Sequence, residues 1–287
     1  MKTRTRTLYW MALPGAVLLF CFHTLPALQG IFYSLTDSRG FGDWTFVGFN
    51  NYVRLFADPR VYQSYGFTIG FAIVATLATN VISLAIALGL SKKVWFRSFL
   101  RSVFFLPAVL SVVVVGFIFN YIFANVVPGI GQALGVAALS TNILGNPDLA
   151  WVGIVLVATW QACAVTTVLY LAGIQNLPED VLEAAEIDGA RGWKQFWQIT
   201  FPLIAPFFSI NMVLSMKNFL MVFDQIVALT GGGPGTATQS ISYMIYKDGF
   251  SGSEFAYQSA NAVVYLVVIA LISIVQFRYL QGREVSA

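Results

Sequence analysis

Polar side chains that could bind a hydroxyl-rich solute lie on one face of an apolar segment. Asn211, Ser215 and Asn218 follow one another at intervals of four and three residues, which places them on one side of a helix. Amide and hydroxyl groups donate and accept hydrogen bonds without carrying charge, so they suit neutral polar ligands. The pattern predicts either a pathway for such a solute or hydrogen bonding between helices. Gln161 and Trp160, on the preceding apolar segment, are predicted to complete the site.

A second group of functional candidates lies in a short charged segment between two apolar stretches. Residues 178–194 hold five acidic and two basic residues, although only 10% of the whole chain is charged. Pro178 suits the start of a helix and Gly189 its end. A helix of about eleven residues, roughly 16 Å long, is too short to cross a membrane, and its charges place it outside the lipid. It is therefore available to a soluble partner, although a helix lying on the lipid headgroups is the alternative.

The same segment resembles the cytoplasmic EAA loop of permeases from binding-protein-dependent ABC importers. In that pattern Glu-Ala-Ala is followed after three residues by Gly, and after nine more by Ile-x-Leu-Pro. The residues that match are Glu183, Ala184, Ala185, Gly189, Ile199 and Pro202, and Phe201 stands where Leu is usual. VGFNNY around Asn51, FLPA at 105–108, FDQIVALTGGGPGTAT from Phe223 and the basic tail at 278–284 extend the resemblance. They are similar to the carbohydrate-uptake branch, which contains the larger maltose-transporter permease subunit and the glycerol-phosphate permeases.

The resemblance implies an all-α polytopic membrane protein with six transmembrane helices, in the type I ABC importer permease fold. It implies import of a sugar or polyol by alternating access, with Asn211, Ser215 and Asn218 lining the pathway. Residues expected to couple the chain to an ATPase subunit are Glu183, Ala184, Ala185, Asp188, Gly189 and Arg191. The implied partners are a second, different permease, two ATPase subunits and an extracytoplasmic solute-binding protein, in a bacterial inner membrane. The ATPase subunits would bind ATP and Mg²⁺, so this chain would carry no cofactor.

The composition independently indicates a membrane protein. The chain is 57% hydrophobic with a mean hydropathy of +0.74, whereas soluble domains are about 45–50% apolar and about 25% charged. Six stretches have the roughly 20 residues needed to cross a bilayer. Their predicted bounds are 9–33, 66–90, 103–124, 150–173, 203–227 and 258–279. We expect one transmembrane domain over 1–287, with a core at about 66–280 and the coupling loop at about 175–202.

The orientation of these spans follows from the distribution of Lys and Arg. Eleven lie before the first span, between the second and third, between the fourth and fifth, and after the sixth. The other loops hold only Arg39, Arg54, Arg60 and Lys247. Because cytoplasmic loops are enriched in basic residues, both termini and the 175–202 loop are predicted to be cytoplasmic.

Other classes of function find less support in the sequence. No nucleophile–base pair and no metal-ligand cluster stand out, so we expect no catalytic residue, no metal site and no enzymatic activity in the chain. Basic residues are too dispersed to predict nucleic-acid binding. An ion-coupled secondary transporter is the alternative function, with Lys217 and Asp224 two helical turns apart as its candidate ionisable residues. A scaffold without transport activity is a further alternative.

Overall fold

The described part of the chain is predominantly helical. A computed structural model describes residues 2–91 and 96–284. Lys92 and Lys93, two of the eleven basic residues that predict the orientation, lie outside the described residues. Along the chain the α-helices are α1 (Lys2–Leu19), α2 (Leu25–Tyr33), α3 (Asn50–Leu55), α4 (Pro59–Ser91), α5 (Arg97–Val109), α6 (Val112–Tyr121), α7 (Val127–Leu134), α8 (Ala150–Gln175), α9 (Glu179–Ile187), α10 (Trp193–Gln195), α11 (Phe201–Leu220), α12 (Asp224–Leu229), α13 (Ile241–Tyr246) and α14 (Phe255–Glu284). Among the described residues, strand-like pairing is limited to an isolated bridge between Thr36 and Phe46.

Six helical stretches of the described residues are long and apolar enough to cross a membrane. They are Met11–Tyr33, Pro59–Ser91, Val112–Leu134, Ala150–Gln175, Trp193–Leu220 and Phe255–Leu280. Several join two helices through a π-helical turn, as Phe20–Thr24 joins α1 to α2. The predicted number of spans is therefore confirmed, and three of the six predicted segments fall within a few residues of the observed ones. The second ends close to its predicted end but begins at Pro59, seven residues before the predicted start. The predicted orientation, with cytoplasmic termini, stays a prediction.

The bounds predicted for the third span, 103–124, are wrong. α5 ends at Val109, and the backbone of Leu110 and Ser111 is extended, with ψ angles of 136° and 132°. A new helix begins at Val112, and the span continues to Leu134. Hydropathy does not reveal this break, because the residues on both sides of it are apolar.

The bounds predicted for the fifth span, 203–227, are also wrong. The helix begins at Trp193 and ends at Leu220, and a separate helix restarts at Asp224. Pro206 lies well inside α11. Its missing N–H therefore removes one hydrogen bond of the helix. The charge of Lys194 lowers local hydropathy, which hides the true start of the span.

Helix α8 forms the centre of the larger of two compact units, which comprises Gln63–Tyr243 and Ile269–Ala287. Its most apolar stretch is 61% buried, more than that of any other span in the described part. It contacts α5, α11 and α12. The buried core around it includes Phe71, Val115, Ile154, Val157, Leu220 and Ile226. Because α8 is enclosed in this way, its side chains that contact neighbouring helices are held in place by packing.

Two helices of this unit approach closely at Gly116 on α6. A Cβ atom added there would lie 2.2 Å from the Cβ of Ala228 on α12 and 3.3 Å from its backbone. We expect Gly116→Ala to lower the free energy of unfolding by about 1–3 kcal/mol, because backbone cannot move aside as a flexible side chain would. Thermal unfolding in detergent measures this loss. Gly70→Ala is the control, since an added Cβ at Gly70 meets no atom within 4 Å; equal melting temperatures of the two variants would contradict the prediction.

The smaller unit comprises Met1–Tyr62 and Met244–Val268. Asn51, which belongs to the VGFNNY stretch, donates hydrogen bonds to the carbonyls of Ser34 (2.8 Å) and Thr36 (2.7 Å). The Ser34 hydroxyl is also hydrogen-bonded to Tyr52 at 2.7 Å. These bonds satisfy carbonyls at the end of α2 and fix the loop that follows it.

An ion-pair network links the two segments of the smaller unit. Arg60 pairs with Asp58 at 3.0 Å and Asp248 at 3.5 Å, Arg54 pairs with Glu254, and the Tyr257 hydroxyl donates to Asp58 at 3.0 Å. Burial alone would raise the pKa of Asp58, but the hydrogen bonds from Arg60 and Tyr257 outweigh it, so the pKa lies below its ordinary value of 3.8. A carboxyl with a lowered pKa stabilises the folded state above its unfolded pKa, and this stabilisation is lost as the pH falls through the folded value.

Replacing Asp58 therefore has an effect that depends on pH. We expect Asp58→Asn to cost about 1 kcal/mol at pH 6, a figure reduced by the solvent exposure of Arg60. Near pH 3 the difference from the wild type should shrink, because this pH lies below the ordinary pKa of 3.8 and protonation then favours the unfolded chain. Unfolding in detergent at both pH values measures the difference, and Asp43→Asn, at an exposed aspartate, is the control. A cost that is the same at both pH values would contradict the assignment.

Candidate functional site

A cavity of about 240 Å³ in the larger unit brings together three amide side chains from three helices. Gln161 lies on α8, Asn218 on the last turn of α11, and Gln225 on the first turn of α12. The other lining residues are Pro107, Ala108, Leu110, Val112, Ala158, Ala162, Phe219 and Val222. The lining thus combines apolar walls and a few uncharged polar groups, as sites for neutral ligands commonly do.

Two interruptions of helical structure border this cavity. Leu110 lies at the break between α5 and α6, and Val222 lies at the break between α11 and α12. Non-helical backbone at membrane depth is tolerated only where protein buries it or where it lines a cavity. Both breaks therefore border the cavity, and Asn218 and Gln225, on either side of the second break, line the same space.

Gln161 provides the clearest sign that the cavity takes a polar ligand. Its Oε1 atom is buried and has no hydrogen-bond partner within the described part of the chain. An unpaired buried carbonyl costs about 1–3 kcal/mol, so such groups in native proteins usually meet water or a ligand. A donor inside the cavity, such as a hydroxyl group, would satisfy it.

Asn211 and Ser215 do not line this cavity. Asn211 is 1% exposed and Ser215 is 6% exposed. Asn211 interacts with Tyr170 of α8, and the Tyr170 hydroxyl donates a 2.6 Å hydrogen bond to Asn80 of α4. The structure therefore places Asn211 in a buried polar cluster between helices, the second of the two interpretations of this face. The role of Asn211 and Ser215 in a solute pathway stays a prediction.

Trp160 also lies apart from Gln161. It lines a different cavity, between α4, α5 and α8, and its ring lies 5.4 Å from that of Phe119, measured between centroids. Lys217 and Asp224, the ionisable residues of the alternative function, are both exposed. Of the five predicted pathway residues, the structure thus unites Gln161 and Asn218.

The predicted charged helix is α9, and it ends where the sequence indicated. Gly189 has φ +76°, in the left-handed region. The Gly189 N–H bonds the carbonyl of Glu186 at 3.2 Å, and the Ala190 N–H bonds that of Ala185 at 2.9 Å. This pair of bonds is a Schellman motif, completed by the burial of Ala185 and Ala190. Glycine is favoured here because other residues are strained at this φ.

One side of α9 remains available to another molecule. Glu183, Ala184, Asp188 and Arg191 are exposed, whereas Ala185 is buried. Val181 and Ile187 expose apolar surface next to these charges. Glu179 and Asp180 occupy the first turn, where negative charge complements the helix dipole. A short, well-terminated helix with mixed apolar and charged surface suits a groove on a soluble protein.

Comparison with known proteins identifies the family. Residues 80–284 match the family model described as the binding-protein-dependent transport system inner membrane component. The chain belongs to this family. The match includes α8, α9, α11 and α12, so it contains every residue of the cavity and of the charged helix. Family membership favours a binding-protein-dependent transporter over the ion-coupled alternative.

Two relatives of this chain are named as permease proteins of sugar or starch-product transport systems. The chain is 36% identical over 279 residues to the probable starch degradation products transport system permease protein AmyD of Thermoanaerobacterium thermosulfurigenes, covering 97% of this chain and 95% of the relative. It is 35% identical over 270 residues to the multiple sugar-binding transport system permease protein MsmF of Streptococcus mutans, covering 94% and 93%. These relatives span nearly the whole permease, so the resemblance to the carbohydrate branch is confirmed.

A solved structure shows the same fold. A chain in a bacterial ABC transporter involved in the import of the acidic polysaccharide alginate superposes with a TM-score of 0.84, at 22% identity, over 98% of this chain and 96% of that chain. The permease is therefore a multi-pass membrane protein with the type I ABC importer permease fold, as the EAA pattern implied.

Gln225 is a cavity residue that the sequence analysis did not identify. It lies seven residues after Asn218, the same spacing that separates Asn211 from Asn218. That periodicity was a usable signal for Gln225. The break at Met221–Phe223 was not foreseeable from hydropathy, because these residues are apolar and the predicted span ran through them.

Proposed function

We propose that this chain is a permease subunit of an ATP-driven importer for a neutral sugar or polyol, in the inner membrane of a bacterial cell. The observation that carries the proposal is the cavity that unites Gln161, Asn218 and Gln225, with a buried Gln161 oxygen that lacks a partner in the described part. Sugar hydroxyls both donate and accept hydrogen bonds, so they can satisfy amide groups from several directions. The names of the sugar-system relatives support the same class of substrate.

The uncharged lining favours a neutral substrate over a phosphorylated one. Phosphate groups are bound most strongly by Arg or Lys, which form charge-assisted hydrogen bonds. The residues that line the cavity contain neither. A phosphorylated substrate would require its cation from the second permease.

In this proposal the chain works with subunits that supply energy and substrate. A second, different permease completes the pathway, two ATPase subunits bind ATP and Mg²⁺, and an extracytoplasmic protein delivers the solute. The residues that couple to an ATPase subunit are Glu183, Ala184, Ala185, Asp188, Gly189 and Arg191. Both termini and the loop carrying α9 face the cytoplasm. The chain itself carries no cofactor and no catalytic residue, and movement of α9 with the ATPase is passed to the spans as a rigid-body motion.

The proposal predicts that the chain transports nothing alone. In liposomes containing only this chain, maltose and other neutral oligosaccharides should show no uptake driven by ATP or by a proton or sodium gradient. Liposomes containing the complete set of subunits should accumulate the substrate only when ATP and the binding protein are present. Uptake by the isolated chain along an ion gradient would instead establish the secondary-transporter alternative.

A further inference from the structure

Two adjoining cavities are lined by α5 and α8, with residues of α4 along one side, and together we call them the α5–α8 groove. The first has a volume of about 400 Å³ and is lined by Arg101, Ser102 and Gln175, together with apolar residues. The second has a volume of about 390 Å³ and is almost entirely apolar. Phe104 and Thr167 line both cavities, so the two cavities adjoin. The cavity that contains Gln161 shares only Pro107 with the lining of the groove.

The groove is polar at one end and apolar along the rest of its length. Arg101 and Gln175 mark the end next to the loop that carries α9, and Val168 and Leu171 follow as α8 runs into the membrane. Ile82 and Leu156 continue the apolar lining in the second cavity. A site with one cationic end and a long apolar wall matches an amphiphile with an anionic head.

The length of the groove agrees with the thickness of one leaflet of a bilayer. From Gln175 to Cys163, α8 rises by roughly 18 Å, at 1.5 Å per residue. The hydrocarbon core is about 30 Å thick, so one leaflet contributes about half of that. A phospholipid whose head lies level with Arg101 would therefore extend its chain along the groove towards the middle of the bilayer.

We propose that the α5–α8 groove is a binding site for an anionic phospholipid. The lipid phosphate lies against Arg101 and Ser102, and one acyl chain follows Phe104, Val168 and the second cavity. Basic pockets between transmembrane helices bind anionic headgroups by charge-assisted hydrogen bonds. Further positive charge precedes Arg101 in the sequence, at Lys92, Lys93 and Arg97.

A buried hydroxyl inside the groove supports a lipid as the occupant. The Thr167 Oγ1 atom is buried and has no hydrogen-bond partner within the described residues, and its residue is 3% exposed. A hydroxyl in that state is missing a bond. The ester oxygens of a phospholipid lie between its phosphate and its acyl chains, so they can accept from Thr167 while the phosphate meets Arg101. A purely apolar helix of a partner subunit would leave the Thr167 hydroxyl without a hydrogen bond.

Native mass spectrometry of the full chain, purified in detergent, tests the headgroup preference. The probes are dioleoylphosphatidylglycerol and dioleoylphosphatidylcholine, which share acyl chains and differ in net charge. We expect the anionic lipid to be retained about tenfold better, the ratio expected for one hydrogen bond between charged groups. Arg101→Gln should abolish this preference, whereas Arg39→Gln, at an exposed arginine of the smaller unit, should keep it. Equal retention of both lipids by the wild type would overturn the proposal.

The location of the lipid is tested separately. Val168→Trp fills the groove and should prevent retention, whereas Leu266→Trp, at a 60% exposed position on α14, should not. Phosphatidylglycerol with a photoreactive acyl chain should label α5 and α8 of the wild-type chain, in isolation and in the complete transporter. Soluble glycerol 3-phosphate should fail to compete, because it lacks the acyl chains. Labelling confined to other helices would refute the site, and so would cross-links from position 168 to the second permease in place of lipid. Both outcomes are measured without the Trp variants, so they count even if those variants fail to insert.

Discussion

Gly189→Val is expected to reduce ATP-driven uptake roughly five- to thirtyfold while the chain still inserts into the membrane. Gly189 has φ +76° at the end of α9, and a residue with a side chain is strained there by about 1–2 kcal/mol. A penalty of this size changes the population of the native helix end by a factor of about 5–30. Because the Schellman bonds depend on that conformation, α9 would no longer meet the ATPase in one fixed geometry.

The prediction separates backbone strain from crowding. An added Cβ at Gly189 meets no atom within 4 Å, so side-chain size by itself costs nothing in the chain. Asn tolerates the left-handed region better than other residues. We therefore expect Gly189→Asn to retain most uptake, Gly189→Ala to be intermediate and Gly189→Val to be lowest. Gly70→Val, at another glycine with open space around it, is the control for insertion.

Uptake and ATP hydrolysis are measured together in vesicles that contain the complete transporter. Loss of uptake with continued hydrolysis would show uncoupling, and loss of both with a missing ATPase subunit would show dissociation. Glu183→Lys, which reverses an exposed charge on the same helix, should weaken retention of the ATPase on co-purification. Full uptake by both Gly189→Val and Glu183→Lys would remove α9 from the coupling role.

The features that sequence predicted well are those encoded by local chemistry or by long averages. Hydropathy over some 20 residues indicated the number of spans, because each membrane crossing must be apolar throughout its length. The end of α9 was predictable because Gly189 is the residue type that a left-handed helix terminus requires. Neither prediction needed knowledge of which helices touch.

The features that sequence did not predict depend on tertiary contacts. The helix breaks at Leu110–Ser111 and Met221–Phe223 carry no proline or glycine to signal them. The fate of Asn211 was likewise undecided, since one polar face serves a pathway or a neighbouring helix equally well in sequence. The structure places Asn211 against Tyr170 in the packed interior, and its role in a pathway stays a prediction. Trp160 and Gln161 are adjacent in sequence, yet α8 directs them to different cavities.

Gln161 and Asn218 line the cavity, whereas Asn211 is buried outside it, so the two groups should affect different measurements. We expect the double variant Gln161→Ala with Asn218→Ala to raise the half-saturation concentration for substrate uptake roughly five- to hundredfold. Each lost hydrogen bond is worth about 0.5–1.5 kcal/mol, and every 1.4 kcal/mol corresponds to a factor of ten. Assembly with the other subunits should be unaffected, since both side chains face a cavity and not the packed core.

Asn211→Ala should behave in the opposite way, although Asn211 and Asn218 lie on one helix. Removing a buried amide from the cluster with Tyr170 should lower the free energy of unfolding by about 1–3 kcal/mol, while half-saturation stays at the wild-type value. Gln132→Ala, at an exposed amide of α7, is the control for both measurements. Uptake at fixed expression gives the half-saturation, and unfolding in detergent gives the stability. If Asn211→Ala shifted half-saturation and the cavity double variant did not, the solute would run along the Asn211 face, and the Gln161 cavity would be a feature of packing alone.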